Sequence, residues 1–295
     1  MVKYCNISGK YFMNEITVSD FKSDALREHL LALYNCFKGV GAHEKVKFNL
    51  NALTWASPLV LLPICAYAHN TGSEVDYRSS LIKAYLDSVG FPIGVNTISA
   101  FQKQVQKFKS YVPISILRKQ DREERERLET IFLGMICRAL GNITGAESAI
   151  YYPVSELVTN IFDHSKKDEG FAFGQYYSSK SFLDMCIVDC GRGLKSAYKE
   201  ELGLSLSDEE SISKALEGFS TKKDKERGYG IRSSIKVVCE GLGGGFIFIS
   251  GNAAFISVGA KNAMVTLPNF HWQGVIIAYR IPKPTHPIDI MPFVE

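Results

Sequence analysis

The stretch SELVTNIFDHS, Ser155 to Ser165, crowds a carboxylate, an amide, a second carboxylate and an imidazole into one short apolar-rich segment. On a helix, Glu156, Asn160 and His164 fall on one line at i, i+4 and i+8, with Asp163 beside them. Leu157, Val158, Ile161 and Phe162 fill the adjoining face. A carboxylate can move or orient a proton, and an amide oxygen suits a hard cation. A solvated amphipathic helix accounts for the apolar pattern equally well, although its wet side would more naturally carry Lys, Glu or Gln. Asn160 is the discordant residue, because a mid-helix amide competes with the backbone.

Three glycine-bearing segments follow. In IVDCGRGL an apolar run ends in Asp189 and continues through Gly191 and Gly193. An acidic side chain at a strand end, beside glycines that permit close approach, can accept a hydrogen bond from the exocyclic amine of a purine. A tight turn after a buried strand needs the same residues. In KKDKERGYGIRSSIKVV, Gly228 and Gly230 precede an apolar-periodic helix with Arg227 beside them. Backbone N–H groups exposed at a helix start form an anion site, and a plain loop-to-helix joint is the alternative. The third segment, GLGGGFIFISG, puts glycines 241, 243, 244 and 245 before a strand and reads as a turn. It is not a dinucleotide fingerprint, which needs its strand before the glycines, and GRGLKS lacks the first glycine of a Walker loop.

The elements that must position these residues divide into two textures. KSDALREHLLALYNCFK predicts a helix, KVKFNLNALTW a strand, SPLVLLPICAYAHN a helix, SEVDYRSS a strand and LIKAYLDSVGF a helix closed by Gly90. That alternation predicts an α/β unit over residues 1–112. Ser57 before Pro58 reads as an N-cap followed by proline at the first helical position. Pro92, Pro113 and the charge run RKQDREERER then suggest a linker feeding a solvated helix. Beyond the opening helix, GFAFGQYYSS, FLDMCIVDCG, GGGFIFISGN, NAAFISVGAK and GVIIAYRI are short runs rich in aromatic and β-branched residues. They predict an α+β two-layer sandwich over residues 113–295, mostly antiparallel, with helices on one face.

The 295 residues, 46% of them hydrophobic, supply cores for two domains. A net charge of +3 gives no global case for nucleic acid or an acidic membrane surface. Seven cysteines without a CxxC pair read as buried thiols of a reducing compartment. The absence of an apolar leader core and of any apolar run near ~18 residues predicts a cytoplasmic, membrane-free protein.

Taken in order, ELVTNIFDHS, DCGRGL, RGYGI and GGGFIFIS resemble the boxes of the GHKL ATPase superfamily of topoisomerases, chaperones and histidine kinases, over residues 120 to 282. ELVTN with its following His, and the short GYGI box, are closest in style to the anti-sigma-factor serine kinases. The resemblance implies a Bergerat-type ATP-binding fold with ATP and Mg²⁺ as cofactors. It implies Glu156 as general base and Asn160 as Mg²⁺ ligand. Asp189 would read adenine, with Gly191 and Gly193 shaping the base pocket, and Gly228 and Gly230 would form the lid hinge with Arg227 as phosphate partner. Thr266, in AMVTLP, would be the hydroxyl supporting the adenine site. The segment between Lys195 and Arg227 corresponds to the mobile lid, where Ser220, Thr221, Lys222 and Lys223 would touch phosphate on closure or form solvated surface, the solvated reading being the better one.

Residues 1–112 are similar in pattern to a STAS domain, the fold of anti-sigma-factor antagonists. Ser57 falls near the antagonists' phosphorylatable serine, but its flanks are Trp-Ala-Ser-Pro, and the capping role is the better reading. RLETIFLGMICRALG holds no His-Glu pair, which argues against a self-phosphorylating histidine kinase. Together these resemblances imply an ATP hydrolase, or a protein serine kinase acting on a separate STAS-type partner or on its own N-terminal domain, with residues 1–112 as a regulatory or partner-binding module, a protein partner and room for a homodimer, or a nucleotide-gated switch without turnover.

Overall fold

The computed structural model describes residues 13–21, 23–97, 99–100, 110–119, 123, 126, 130, 133–134, 137, 140–141, 143–219, 230–259 and 261–294. Two sheets organise them. The smaller is parallel, with the order β1 (Asn14–Thr17), β2 (Val46–Asn49), β3 (Glu74–Asp76), and its crossovers are α1 (Leu26–Phe37) and α2 (Pro58–Thr71). A short α3 (Lys83–Ser88) follows, and Gly90 at φ 80° ends it as expected. Ser57 caps α2, its hydroxyl accepting from Leu59 N–H at 3.3 Å, and Gly72 closes the helix in the left-handed region at φ 70°.

The larger sheet is antiparallel throughout. Its strands are β4 (Tyr111–Arg118), β5 (Glu169–Tyr177), β6 (Phe182–Asp189), β7 (Gly245–Gly251), β8 (Ala253–Val258), β9 (Lys261–Thr266) and β10 (Trp272–Pro282). Their spatial order is β4-β5-β6-β10-β7-β8-β9. The helices that accompany them include α4 (Ala146–His164), α5 (Gly193–Leu202), α6 (Asp208–Leu216) and α7 (Gly230–Lys236), the last continuing into a wider turn over Val237–Gly241.

The expectation of helices on one face is corrected by the packing. Alternate residues of each central strand enter two different cores. Phe173, Val188, Ile247, Ile249 and Ile276 join Leu33, Phe37, Leu61 and Ile64 of α1 and α2 in one. Ala172, Ile187, Phe246, Phe248 and Ile277 join Leu157, Val158 and Ile161 of α4 in the other. This is why GFIFISG and FLDMCIVD read as continuous apolar runs: an antiparallel sheet with one wet face would alternate, and this one has none across its centre. It is also why α2 is buried at every position from Pro58 to Tyr67, being covered by α1 as well as by β5 and β6.

The expected linker around Pro113 is likewise a strand in part. YVPISILR forms β4, and its register slips between Val112 and Ser115, so the proline sits at a bulge where no ladder donor is required. Val95 pairs along its outer side, donating to Ile114 O and accepting from Ile116 N–H, each at 2.8 Å. Among the described residues no helix is long and apolar enough to cross a membrane.

A cross-strand ion pair bolts the parallel-sheet unit to the large sheet. Arg280 of β10 grips Asp184 of β6 through two bonds of 2.6 and 2.7 Å, lies 3.7 Å over the Phe182 ring, and donates to the backbone oxygen of Asp24. Asp184 is 4% exposed, and its burial raises the carboxyl above its ordinary value despite the guanidinium. Arg280→Ala should therefore cost about 3–5 kcal/mol in denaturant-unfolding experiments, because it strands a buried charge. Arg280→Lys should recover little, since an ammonium cannot make the two-pronged contact.

Candidate functional site

Helix α4 runs along the second core, burying Val154, Leu157, Val158 and Ile161. That face fixes its rotation. Glu156 and Asn160 are half-buried, His164 is half-buried at the last turn, and Asp163 is exposed. The chain then turns at Ser165, a buried residue whose hydroxyl accepts from Lys167 N–H at 3.0 Å.

Asp189, the last residue of β6, is 4% exposed and is closed in by two glycines. Its Oδ1 accepts from Gly191 N–H at 2.8 Å. A Cβ on Gly191 would lie 2.4 Å from the Ser165 carbonyl oxygen, and one on Gly274 (φ 118°) would lie 2.2 Å from the Asp189 carbonyl oxygen. Neither position tolerates a side chain, so the two loops close on the carboxyl only because both residues are glycine. Burial pushes the Asp189 carboxyl up to about 7, against the opposing pull of the Gly191 and Val275 N–H groups and the charge of Lys167.

Gly193 begins α5 at φ 70° and faces the hydroxyl of Ser250, the penultimate residue of β7. Ser250 Oγ donates to Gly274 O at 3.0 Å and accepts from Leu194 N–H at 3.1 Å, joining β7, the β10 bulge and the start of α5. Arg192 fixes the same loop to α4. Its Nε donates to His164 O at 2.8 Å and its Nη1 reaches Glu200 and Glu201 at 2.7 and 2.8 Å.

These elements enclose a hollow of about 520 Å³ counted out to its mouth. Asn160, His164, Asp189 and Gly193 line it, with Leu157, Leu194, Ile231, Phe248 and Ile277 forming apolar walls. About 50 Å³ of it is free, less than a heteroaromatic ring occupies, so a ligand of that size requires the hollow to open. At the edge, Gly230 opens α7 directly against Glu156: a Cβ there would lie 2.2 Å from Oε2. Chemically this is an apolar slot with a buried carboxyl at its base and an amide along its side, and Glu156 lies one helical turn before that amide on α4.

Of the sequence-derived candidates, Asn160, Asp189 and Gly193 line the hollow, Gly191 shapes its base, and Glu156 and Gly230 meet at its rim. Arg227, Gly228 and the segment Ser220, Thr221, Lys222, Lys223 lie outside the described residues. Thr266 is not brought to the site. It is exposed on β9, paired with Ala253 and hydrogen-bonded to Glu209. Because β10 inserts between β6 and β7, three strands separate β9 from β6, about 19 Å at ordinary strand spacing. The hydroxyl that does serve the Asp189 loops is Ser250. A polar residue at the end of the apolar run GFIFIS, and the glycine of WQGV, were the available signals for Ser250 and Gly274.

Among the described residues no three His, Cys, Asp or Glu side chains converge as a metal cage. Asn160 offers a side-chain oxygen of the kind that completes a Mg²⁺ shell supplied mainly by phosphate and water. A second hollow, with about 400 Å³ of free space, lies beyond Cys190 between the end of α2 and β5. Its Glu169 is shared by His69 Nε2 at 2.9 Å and Arg118 Nε at 3.1 Å. Comparison with protein-family models, with curated proteins and with solved structures gave no match.

Two outcomes follow from the Asp189 geometry. Its folded-state value lies above the ordinary 3.8, so its contribution to stability is complete below pH 3.8 and is lost as pH rises through about 7. Measured against Asp189→Asn, wild-type stability should fall between pH 4 and 8, and a flat difference across that window would contradict the burial argument. Gly191→Ala should lower the melting temperature by several degrees, since its methyl meets backbone rather than a movable side chain.

Proposed function

We propose that this chain binds Mg-ATP in the hollow beside Asp189, as a GHKL-type ATPase or phosphotransferase domain of Bergerat type, with a STAS-like N-terminal unit as its regulatory, partner-binding module in the cytoplasm. The observation that carries the reading is the Asp189 carboxyl, buried at a strand end between Gly191 and Gly274 at the base of the hollow that Asn160 lines. The glycines permit the approach of a flat base, the apolar walls favour it, and the carboxyl offers the polar acceptor that orients it.

Asp189 would accept from the adenine amine with the oxygen that Gly191 N–H does not occupy. Asn160, which lines the same hollow, would supply its side-chain oxygen to Mg²⁺ together with phosphate oxygens. The metal, when bound, neutralises charge on the phosphates. Glu156 would hold and orient the attacking water or hydroxyl, its carboxylate confined by the close passage of Gly230. Arg192 would keep the Asp189 loop and the Asn160 helix in register through its bond to His164 O.

If turnover occurs by transfer to a protein, the acceptor belongs to a separate STAS-type partner. Ser57 of this chain is 1% exposed, caps α2 and is bonded to His29 Nδ1 at 2.9 Å. Burial pushes the His29 imidazole down to about 3, so it is neutral beside that hydroxyl. A nucleotide-gated switch without significant turnover is favoured by a different observation: the N-terminal unit shares a core with the back of the large sheet, so a change in the pocket has a route to it.

Isothermal calorimetry with Mg²⁺ should give saturable ATP binding. Asp189→Asn should weaken it roughly 10- to 100-fold, because with one position engaged by Gly191 N–H the amide turns its NH₂ toward the adenine amine. Glu156→Ala should keep the affinity and lose hydrolysis or transfer, and Asn160→Ala should remove the Mg²⁺ dependence of binding. An affinity indifferent to Asp189→Asn would overturn the assignment.

A further inference from the structure

Asp189 is met from behind by a residue that belongs to neither the helix nor the glycine loops of the pocket. The ladder of β10 slips between Trp272 and Val275, leaving Gln273 and Gly274 as a bulge. Bulges re-aim side chains, and this one sends the Trp272 indole inward, where its Nε1 donates to the Asp189 backbone oxygen at 3.0 Å. The Val275 N–H is left facing the Asp189 carboxyl, so one irregularity supplies a partner to each end of the residue.

The other side of the same indole is packed on the N-terminal unit. Trp272 is 2% exposed, meets the ring of Phe37 in α1 edge-on at 5.3 Å and 87°, and lies 6.4 Å from the ring of Tyr67 in α2. Phe37 and Tyr67 in turn contact each other and Phe48 of β2. Tyr67 is pinned by its hydroxyl, which donates to the Gly41 and Glu44 carbonyls at 2.8 and 2.7 Å. A close-packed aromatic cluster shifts as a unit when one ring is displaced, because no free volume absorbs the movement.

We propose that Trp272 is a positioning residue that couples the Asp189 pocket to the N-terminal unit: it holds the strand end where the carboxyl meets the base, and it relays filling of the pocket to α1 and α2. The proposal rests on the nucleotide reading of that pocket and specifies its regulation. A base that bonds to the Asp189 carboxyl loads the strand end directly, and the indole bond links that end to the N-terminal core beside the packing of β6 on α2.

Trp272→Phe keeps the ring packing and removes the donor; Phe37→Leu keeps the donor and removes the ring edge from the other side. Amide hydrogen exchange of the full chain, with and without saturating Mg-ATP, is the measurement, and calorimetry on the same samples establishes occupancy. Saturating ATP should slow exchange in α1 and α2 of wild type ~5-fold or more. Trp272→Phe should bind ATP ~5-fold more weakly, the scale of one buried hydrogen bond, and at saturation should show no protection in α1 and α2 while keeping protection in α4. Phe37→Leu should lose the same α1 and α2 response with its affinity little changed, and carries the test if Trp272→Phe does not fold. Protection of α1 and α2 that persists in the folded variants, or is absent from ATP-bound wild type, overturns the coupling alone. No ATP binding by wild type overturns the nucleotide reading and the proposal with it.

Discussion

The structure depends on a sheet that has no wet face across its centre. An antiparallel sheet usually spends one side on solvent, and its strands then alternate between apolar and polar residues. Here β6 and β7 are buried at every position, so both sides need a cover. α4 and its neighbours cover one, and α1 and α2 cover the other. The N-terminal unit is therefore a wall of the large sheet's core, and the Arg280–Asp184 pair with its bond to Asp24 O fastens the unit's edge to it. The candidate site inherits its rigidity from this arrangement, because β6 delivers Asp189 from a strand fixed on two sides.

The second consequence is electrostatic. A carboxyl at the end of such a strand loses its water, and the Gly191 and Val275 N–H groups and the charge of Lys167 offset part of that loss. Its proton affinity rises for the same reason that it would make a discriminating acceptor: with little competition from solvent, a ligand donor at that point would count heavily. The surrounding loops approach this closely because Gly191 and Gly274 have no Cβ, and Ser250 and Arg192 hold them there.

Much of this was legible in the chain, and what was not has identifiable causes. The capped start of α2, the line of Glu156, Asn160 and His164 on α4, and Asp189 at a strand end are local features, and local chemistry announces them. β4 was hidden because Pro113 looks like a break, and only the bulge that accommodates it makes it a strand residue. Thr266 was misplaced because residue spacing does not tell where the last strand inserts; β10 enters between β6 and β7 and pushes β9 to the edge. Ser250, Gly274 and Trp272 act on Asp189 from more than 60 positions away in the sequence, and no periodicity links them to it. The continuous apolar texture of β6 and β7 did carry the information that both faces are covered, and reading it as a one-faced sandwich was the error.

The most direct measurement is a crystal structure of the full chain with Mg²⁺ and a non-hydrolysable ATP analogue. The account predicts the adenine in the hollow between α4 and α5, its amine on the Asp189 carboxyl, the metal on the Asn160 side-chain oxygen and the terminal phosphate facing Glu156. Nucleotide seated elsewhere, for instance against Arg118 and Lys167 in the second hollow, or an adenine that leaves Asp189 without a partner, would contradict it.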